Sequence, residues 1–150
     1  MKIITMEDQA FIRQIASYHV QMLQHDPLIV TQSHTMACAL YEEMIQRRIE
    51  LNGDYIEATV EGDKVIAYIW GHHDVSSQTV TIESLYVSPN VRHKGLATIL
   101  KQHIETWAMH QQARQIVGTV LENNDAMRAL NEKLGYSVQK VVMQKMLKYD

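Results

Sequence analysis

The chain of 150 residues is poor in cysteine, proline and phenylalanine, with one, two and one of each. Because Cys38 is the single thiol, an internal disulfide is excluded and a cysteine-based metal site is disfavoured, so we expect a small buried side chain there. No apolar run approaches the ~20 residues that a membrane span needs. The opening residues, MKIITMEDQAFIRQIA, lack the basic flank and apolar core of a signal peptide. We therefore expect a cytoplasmic protein with no membrane partner.

An excess of positive charge is also lacking. Lys and Arg number 14 against 17 Asp and Glu, the formal net charge is -3, and no run of basic residues forms a stripe. We therefore expect no nucleic-acid partner. Hydrophobic residues make up 46% and charged residues 21% of the chain, which is typical of a folded globular protein. The length suits one domain over residues 1–150.

Helical and strand spacing of apolar residues alternate along the chain, without a repeat or a low-complexity tract. The helical spacing predicts helices over about 6–24, 36–51, 96–107 and 123–136. Segments rich in β-branched residues predict strands at 2–5, 56–60, 65–70, 80–87 and 116–121, and one or two strands at 136–147. Between the first two helices, HDPLIVTQSH at 25–34 carries a proline that interrupts helix. The order predicts an α/β (α+β) fold, with a mostly antiparallel N-terminal sheet and a parallel crossover at its centre.

The stretch VSPNVRHKGLATIL, residues 87–100, joins a predicted strand to a predicted helix. The first amides of a helix have no intrahelical partner, and the helix dipole adds partial positive charge there, so such an end attracts anions. Gly95 removes the side chain that would keep a ligand from the backbone, Ala97 keeps the next turn slim, and residues 92–94, Arg-His-Lys, add charge. This arrangement favours a phosphate or pyrophosphate held by main-chain amides. The fingerprints G-x-G-x-x-G and G-x-x-x-x-G-K-[ST] are absent.

The hexapeptide RHKGLA, Arg92–Ala97, fits the acetyl-CoA motif of the GCN5-related N-acetyltransferases (GNAT): Arg or Gln, two residues, Gly, one residue, Gly or Ala. Its context strengthens the resemblance, because LYVSPNVRHKGLATIL places it after an apolar strand ending in V-x-P and before an amphipathic helix. About thirty residues later, NNDAMRALNEKLGY is similar to the family's Asn-x-x-Ala-x-x-Leu-Tyr-x-Lys-x-Gly-Phe. The chain resembles this family over nearly its whole length in element order.

The resemblance implies a GNAT-like mixed central sheet with splayed parallel central strands, TIESLYV and IVGTVL, flanked by helices. Acetyl-CoA would be the cosubstrate in the opening between these strands, with the pantetheine arm beside the first strand and the pyrophosphate at the helix start. The implied reaction is direct attack of an unprotonated amine on the thioester, without a covalent enzyme intermediate. The cofactor-binding residues so implied are Leu85, Tyr86, Val87, Arg92, His93, Lys94, Gly95, Leu96, Ala97, Thr98 and Asn124.

Glu83 is the residue that we expect to act as the catalytic base. An amine acceptor arrives mostly protonated at neutral pH, so the site needs a proton acceptor or a water chain leading to one. Glu83 lies in an otherwise apolar strand, nine residues before Arg92, where many family members carry a glutamate. A structural role as a strand carboxylate or ion-pair partner stays open. Strand alternation predicts that Ser84 and Tyr86 point to the opposite face.

Two asparagines in the predicted fourth helix also enter the hypothesis. Asn124 matches a family asparagine near the cofactor, although it would equally serve as a helix N-cap. Asn131 stands where family members commonly carry the tyrosine that protonates the leaving thiolate, and an asparagine cannot act as that acid. The proton donor is therefore open, with Asn131 kept as a catalytic candidate. Gly135 reads as a helix stop.

The eight histidines raise the question of a metal site. His72 and His73 are adjacent and would point to opposite faces of a strand, while His103 and His110 share a helix face without a third ligand. Neither H-x-x-x-H nor H-E-x-x-H occurs. We therefore expect no metal.

These observations together predict an N-acetyltransferase that moves an acetyl group from acetyl-CoA to a primary amine. We expect a small-molecule acceptor such as a polyamine, an amino sugar or an amino acid, rather than a protein N-terminus or lysine. Two other classes stay open: an acyl-CoA-binding regulatory domain with little turnover, and an interaction module that forms a homodimer through C-terminal strands around residues 141–146.

Overall fold

The structure, a computed structural model, describes residues 1–24 and 33–149. The predicted break at 25–34 therefore lies outside the described residues, except for Ser33 and His34. The chain divides into two compact units, Met1–Thr119 and Val120–Asp150. The elements are β1 Lys2–Ile3, α1 Gln9–Leu23, α2 His34–Glu50, β2 Asp54–Glu61, β3 Lys64–Asp74, β4 Thr79–Val87, a short 3-10 turn Pro89–Val91, α3 Leu96–His110, β5 Gln115–Gly118 and α4 Asp125–Lys133.

The first unit is built on one five-stranded sheet in the order β1-β2-β3-β4-β5. The first three neighbouring pairs are antiparallel, and β4 pairs with β5 in parallel. The connection from β4 to β5 runs through α3, because parallel neighbours need a crossover. The predicted mixed α/β architecture, with an antiparallel meander and one parallel crossover, is confirmed.

Helices cover both faces of this sheet. On one face α1 and α2 pack against apolar side chains of β2 and β3, and on the other face α3 packs against β3 and β4. The first core contains Ile12, Ile15, Ile45, Ile56, Tyr68 and Trp70, all essentially buried. The second contains Ala67, Ile69, Val80, Leu100, Ile104 and Ala108. Gly71 lets α3 approach closely, since a Cβ there would collide with Ile104.

The second unit contains α4, and its ends follow the capping chemistry predicted for them. Asn124 Oδ1 accepts a hydrogen bond from the amide of Met127 at 3.1 Å, which caps the helix start. At the other end Gly135 has a φ of 95°, in the left-handed region that favours glycine. The amide of Tyr136 then donates to the carbonyl of Asn131 at 2.9 Å, so the helix ends where the sequence predicts.

The prediction of one or two strands at 136–147 is wrong for this structure. Residues 136–149 form no helix or strand, and their apolar side chains are largely exposed, with Met143 at 89% and Val141 at 75%. The segment has the composition of a strand, but a strand also needs a neighbour to receive its backbone hydrogen bonds. The composition of this segment therefore indicates its β propensity, but it does not show whether a neighbouring strand is available for pairing.

Candidate active site

The parallel pair formed by β4 and β5 opens after four residues. Its register runs from Thr79 opposite Gln115 to Ile82 opposite Gly118 and ends there. β4 continues to Val87, and over residues 83–87 its edge away from β3 has no strand partner in the described part of the chain. An edge of this kind offers backbone groups to an added extended ligand. The pairing of the two strands thus covers only the first part of β4.

A β-bulge lies at the point where the strands separate. Trp70 and Gly71 are consecutive in β3, yet their partners in β4 are Ser84 and Ile82. Glu83 is therefore the extra residue of the bulge. A bulge leaves its extra residue outside the ladder, bends the strand and redirects side chains. The bulge thus sets the predicted base, Glu83, apart from its neighbours directly after the last β4 residue that pairs with β5.

The bulge also overturns the predicted alternation around Glu83. Glu83 contacts Arg48 of α2, the hydroxyls of Ser84 and Tyr68 lie 2.8 Å apart, and Tyr86 stacks on Tyr18 of α1 at 4.2 Å between ring centroids. The side chains at positions 83, 84 and 86 thus all face the α1/α2 side. The prediction that Ser84 and Tyr86 face away from Glu83 is wrong, because the extra residue breaks the period of two.

Glu83 belongs to a charged network that the sequence did not reveal. Arg48 Nη1 lies 3.3 Å from Glu83 Oε1 and 3.8 Å from Asp54 Oδ2. The Asp54 side chain is fully buried and accepts hydrogen bonds from Trp70 Nε1 and, at 2.6 Å, from His72 Nδ1. The Arg48 guanidinium also lies over the Trp70 ring, 5.9 Å from its centroid. The Arg48 guanidinium therefore contacts the carboxylates of Glu83 and Asp54 and the face of the Trp70 ring.

His19 of α1 borders the same network. Its side chain is 3% exposed, and its ring makes edge contacts with Tyr41 and Trp70 at 4.6 and 4.9 Å. Burial first, and then the nearby positive charge of Arg48, lower the pKa of His19 to about 4. The imidazole is therefore neutral at physiological pH.

The loop after β4 contains the residues that the sequence predicts to bind a pyrophosphate. Residues 92–95 are exposed, His93 and Gly95 have φ values of 65° and 80°, and Gly95 is the N-cap of α3. In the part of the chain that the structure describes, the amides of residues 93–98 have no hydrogen-bond acceptor. A Cβ on Gly95 would meet nothing within 4 Å. The φ of Gly95 thus favours glycine, and the position that a Cβ would take is open.

Arg92 links this loop to the open strand edge. Its Nε donates to the carbonyl of Val87 at 3.0 Å, so the last carbonyl of β4 has a hydrogen-bond partner in the loop. The residues predicted for the cofactor at 85–87 and 92–98 are consequently continuous along strand, loop and helix of one unit. Asn124 and Asn131 belong to the other unit, where Asn124 caps α4 and the buried Oδ1 of Asn131 accepts no hydrogen bond from the described residues.

The histidines take part in contacts other than metal ligation. His72 bonds Asp54, His103 Nδ1 lies 2.8 Å from the buried carboxylate of Glu57, and His73 packs edge-on against Trp107. Within residues 1–24 and 33–149, no group of three His, Cys, Asp or Glu side chains is placed to hold a metal ion. None of the helices described here is both long and apolar enough to cross a membrane.

Comparison with known proteins agrees with this geometry. Residues 23–136 match the acetyltransferase (GNAT) family. The chain is 25% identical over 114 residues to aminoglycoside N(6')-acetyltransferase type 1 of Acinetobacter baumannii, covering 76% of this chain and 70% of that protein. A Staphylococcus aureus structure assigned to the GNAT acetyltransferases is 34% identical with a TM-score of 0.72, covering 79% of this chain and 98% of that one.

A structure of low identity extends the likeness in fold to nearly the whole chain. The aminoglycoside acetyltransferase meta-AAC0020 from an uncultured soil sample, solved in complex with sisomicin, is 12% identical with a TM-score of 0.66 and covers 99% of this chain and 95% of that one. The family match spans most of the chain, including residues 92–98 and α4. The chain therefore belongs to the GNAT family of acetyltransferases.

Proposed function

We propose that this protein transfers the acetyl group of acetyl-CoA to a primary amine of a small molecule, and that residues 1–150 act as a single domain in doing so. The observation that carries the proposal is the continuity of three features in one segment. A carboxylate stands on the bulge at Glu83, an unpaired strand edge follows it, and an amide cradle follows at residues 93–98. The family membership gives these features a common purpose.

The residues along this segment suit acetyl-CoA. The open edge of β4 at Leu85–Val87 would hold the pantetheine arm through backbone hydrogen bonds. The amides of residues 93–98, with Arg92 and Lys94 beside them, would hold the pyrophosphate, since amides without acceptors at a helix start favour anions. The open space above Gly95 leaves room for the phosphates. When bound, acetyl-CoA supplies the activated thioester carbonyl and the thiolate leaving group.

Glu83 would then act on the acceptor. An ammonium must lose a proton before its nitrogen can attack, and a carboxylate at the mouth of the opening can take that proton directly or through a water. The Glu83 carboxylate already forms an ion pair with Arg48, so it is accessible to a cationic group. Asn131 would donate a hydrogen bond to the leaving sulfur or to a water that protonates it, which stabilises charge without transferring a proton.

Amino sugars are the first acceptor class to test. The name of the Acinetobacter relative, an aminoglycoside acetyltransferase, supports an amine on a sugar, and the net charge of -3 favours the approach of a polycation. Polyamines and amino acids carry the same reacting group and form the second class. The protein would act in the cytoplasm, where acetyl-CoA is available, without a metal.

The test is a screen with acetyl-CoA and four acceptor classes: sisomicin, spermidine, free amino acids and a lysine-containing peptide with a free N-terminus. Release of CoA thiol is followed together with the mass of the amine product. We expect acetylated amine in stoichiometric amount with released CoA for a small amine. Acetylation of the peptide alone would assign the protein acceptor class. CoA binding without acetylation of any amine would favour a regulatory domain.

A second proposal concerns assembly, and it is carried by the exposed apolar side chains near the C-terminus. Val141, Val142, Met143, Met146 and Leu147 are each at least 62% exposed, which is costly for an isolated surface. We propose that this segment pairs in a homodimer. Light scattering of the parent protein and of a Val141→Lys, Met143→Lys variant tests it, and a monomeric parent at micromolar concentration would contradict it.

A further inference from the structure

Arg48 occupies an intermediate position between two carboxylates of unequal burial. It lies 3.3 Å from Glu83, whose side chain is 26% exposed, and 3.8 Å from Asp54, whose side chain is 0% exposed. Arg48 itself is 26% exposed. The contact with Glu83 therefore faces solvent in part, whereas the contact with Asp54 is inside the protein.

The exposed contact is the easier one to replace. Ion pairs that water reaches are weak, because solvent screens them and competes for both partners. A second cation arriving from solvent can therefore exchange with Arg48 at Glu83. The acceptor of the proposed reaction is such a cation, since an alkylammonium is charged at neutral pH.

The Arg48 guanidinium has a second carboxylate, that of Asp54, within reach when it leaves Glu83. Asp54 accepts hydrogen bonds from Trp70 and His72, which hold its carboxylate in place, and Arg48 already lies over the Trp70 ring. A shift toward Asp54 turns a 3.8 Å contact into a hydrogen-bonded ion pair and keeps the aromatic contact. The cation is thus retained inside the protein when it leaves Glu83.

We propose that Arg48 is a placeholder for the acceptor's ammonium: it pairs with Glu83 in the free protein and moves to Asp54 when the amine binds. This rests on the proposed role of Glu83 at the acceptor site. Arg48 is accordingly a positioning residue that sets the affinity for cationic acceptors and keeps Glu83 occupied until one arrives. Neutral molecules would not release it, because they cannot replace its charge.

The experiment measures ammonium binding without turnover, so its outcome is independent of whether acetyl transfer is found. The probe is n-butylammonium chloride, titrated against sodium chloride of equal ionic strength and followed by the NMR signals of the Arg48 side-chain Nε–H and the Glu83 amide. We expect a saturable shift of both signals with the ammonium and none with sodium. Arg48→Gln should lower the midpoint concentration, read from the Glu83 amide, at least threefold.

Three further variants separate competition from a structural role. Asp54→Asn should raise the midpoint at least twofold, because Arg48 loses its alternative partner, while Arg48→Lys keeps the charge and should stay within twofold of the parent. Arg47→Gln, an exposed neighbour in the same helix, should change nothing. If Arg48→Gln does not fold, the midpoint of Asp54→Asn decides: a rise of at least twofold supports the proposal, and an unchanged or lower midpoint refutes it.

Two results would overturn the proposal: an absent ammonium shift in the parent, or an equal or higher midpoint in folded Arg48→Gln. If Arg48 and Asp54 had only a structural role, Arg48→Gln and Asp54→Asn would both lower the melting temperature, but they would not shift the midpoint of the ammonium titration in opposite directions. A failed amine screen with a positive titration would instead refute acetyl transfer and leave the ammonium site standing.

Discussion

Ile82 and Gly118 are the last residues that face each other in the parallel pair of β4 and β5. Beyond them β4 runs on for five residues, and one of its edges has no strand partner among residues 1–24 and 33–149. The first of these five residues is the bulged Glu83. The opening and the candidate base are thus produced at one point of the chain. The bulge at Glu83 therefore lies between the part of β4 that pairs with β5 and the part that we propose to bind acetyl-CoA.

Gly95→Asp tests the proposed pyrophosphate site. The substitution introduces a side chain and a negative charge into the open space above the cradle, where the amides favour an anion. We expect the affinity for acetyl-CoA to fall more than tenfold, a loss of about 1.4 kcal/mol or more. Isothermal titration calorimetry measures it.

A matched control exists in the turn between β2 and β3. Gly62 also has a positive φ, 61°, and open space around its Cβ position, so Gly62→Asp imposes a similar backbone cost far from the cradle in sequence. It should leave acetyl-CoA affinity within twofold of the parent. Equal affinity in a folded Gly95→Asp protein would refute the assignment of the cradle.

Glu83→Gln tests the proposed base. The amide keeps the size of the side chain and removes its ability to take a proton, so turnover should fall about 10²-fold at neutral pH while acetyl-CoA affinity stays the same. The loss should shrink as the pH rises and more of the amine is already neutral. Glu61→Gln, at the exposed end of β2, is the matched control. An unaltered rate at every pH would remove Glu83 from the mechanism.

The order of strands and helices up to α4, and the strand–loop–helix junction at residues 87–100, could be predicted because both depend on neighbouring residues. Helical spacing, turn residues and the R-x-x-G-x-A motif are local patterns. The bulge at Glu83 could not be predicted, because it depends on the register of β4 against β3. Nor could the Arg48 network, because its side-chain contacts join four elements that are distant in sequence, α2, β2, β3 and β4. The prediction of C-terminal strands was wrong because it also depended on distant contacts. Residues 136–147 have the composition of a strand, but composition does not identify a neighbouring strand with which they would pair.

Asn131 tests what the leaving thiolate requires. A thiol has an unperturbed pKa near ~8.5, so its thiolate leaves without obligatory protonation, and a positioned donor is helpful only in part. Asn131→Ala should therefore lower the single-turnover rate by only about 10-fold, less than the ~10²–10³-fold loss that follows removal of an oxyanion-hole donor. Asn131→Tyr should be active and, if sulfur protonation limits the rate, faster. Asn123→Ala, outside α4, should match the parent, and complete loss in folded Asn131→Ala would show a larger role.

His19 gives a prediction about stability rather than catalysis. In the folded protein its pKa is lowered to about 4, chiefly by burial, whereas in the unfolded chain it should titrate near ~6.5. Between these values the unfolded state binds the proton and the folded state does not. Folding therefore weakens as the pH falls through this window, and the contribution of His19 is fully present above it.

Replacing His19 by phenylalanine, which keeps an aromatic ring against Tyr41 and Trp70, should remove this pH dependence. Between pH 7 and pH 4.5 the parent should lose about 2 kcal/mol more of its free energy of unfolding than His19→Phe, because the folded-state pKa of about 4 lies well below that of the unfolded chain. Urea unfolding at the two pH values measures the difference. His110→Gln, which changes an exposed histidine, should keep the parent's pH dependence. Equal losses in the parent and His19→Phe would mean that His19 binds its proton as readily in the folded state as in the unfolded one.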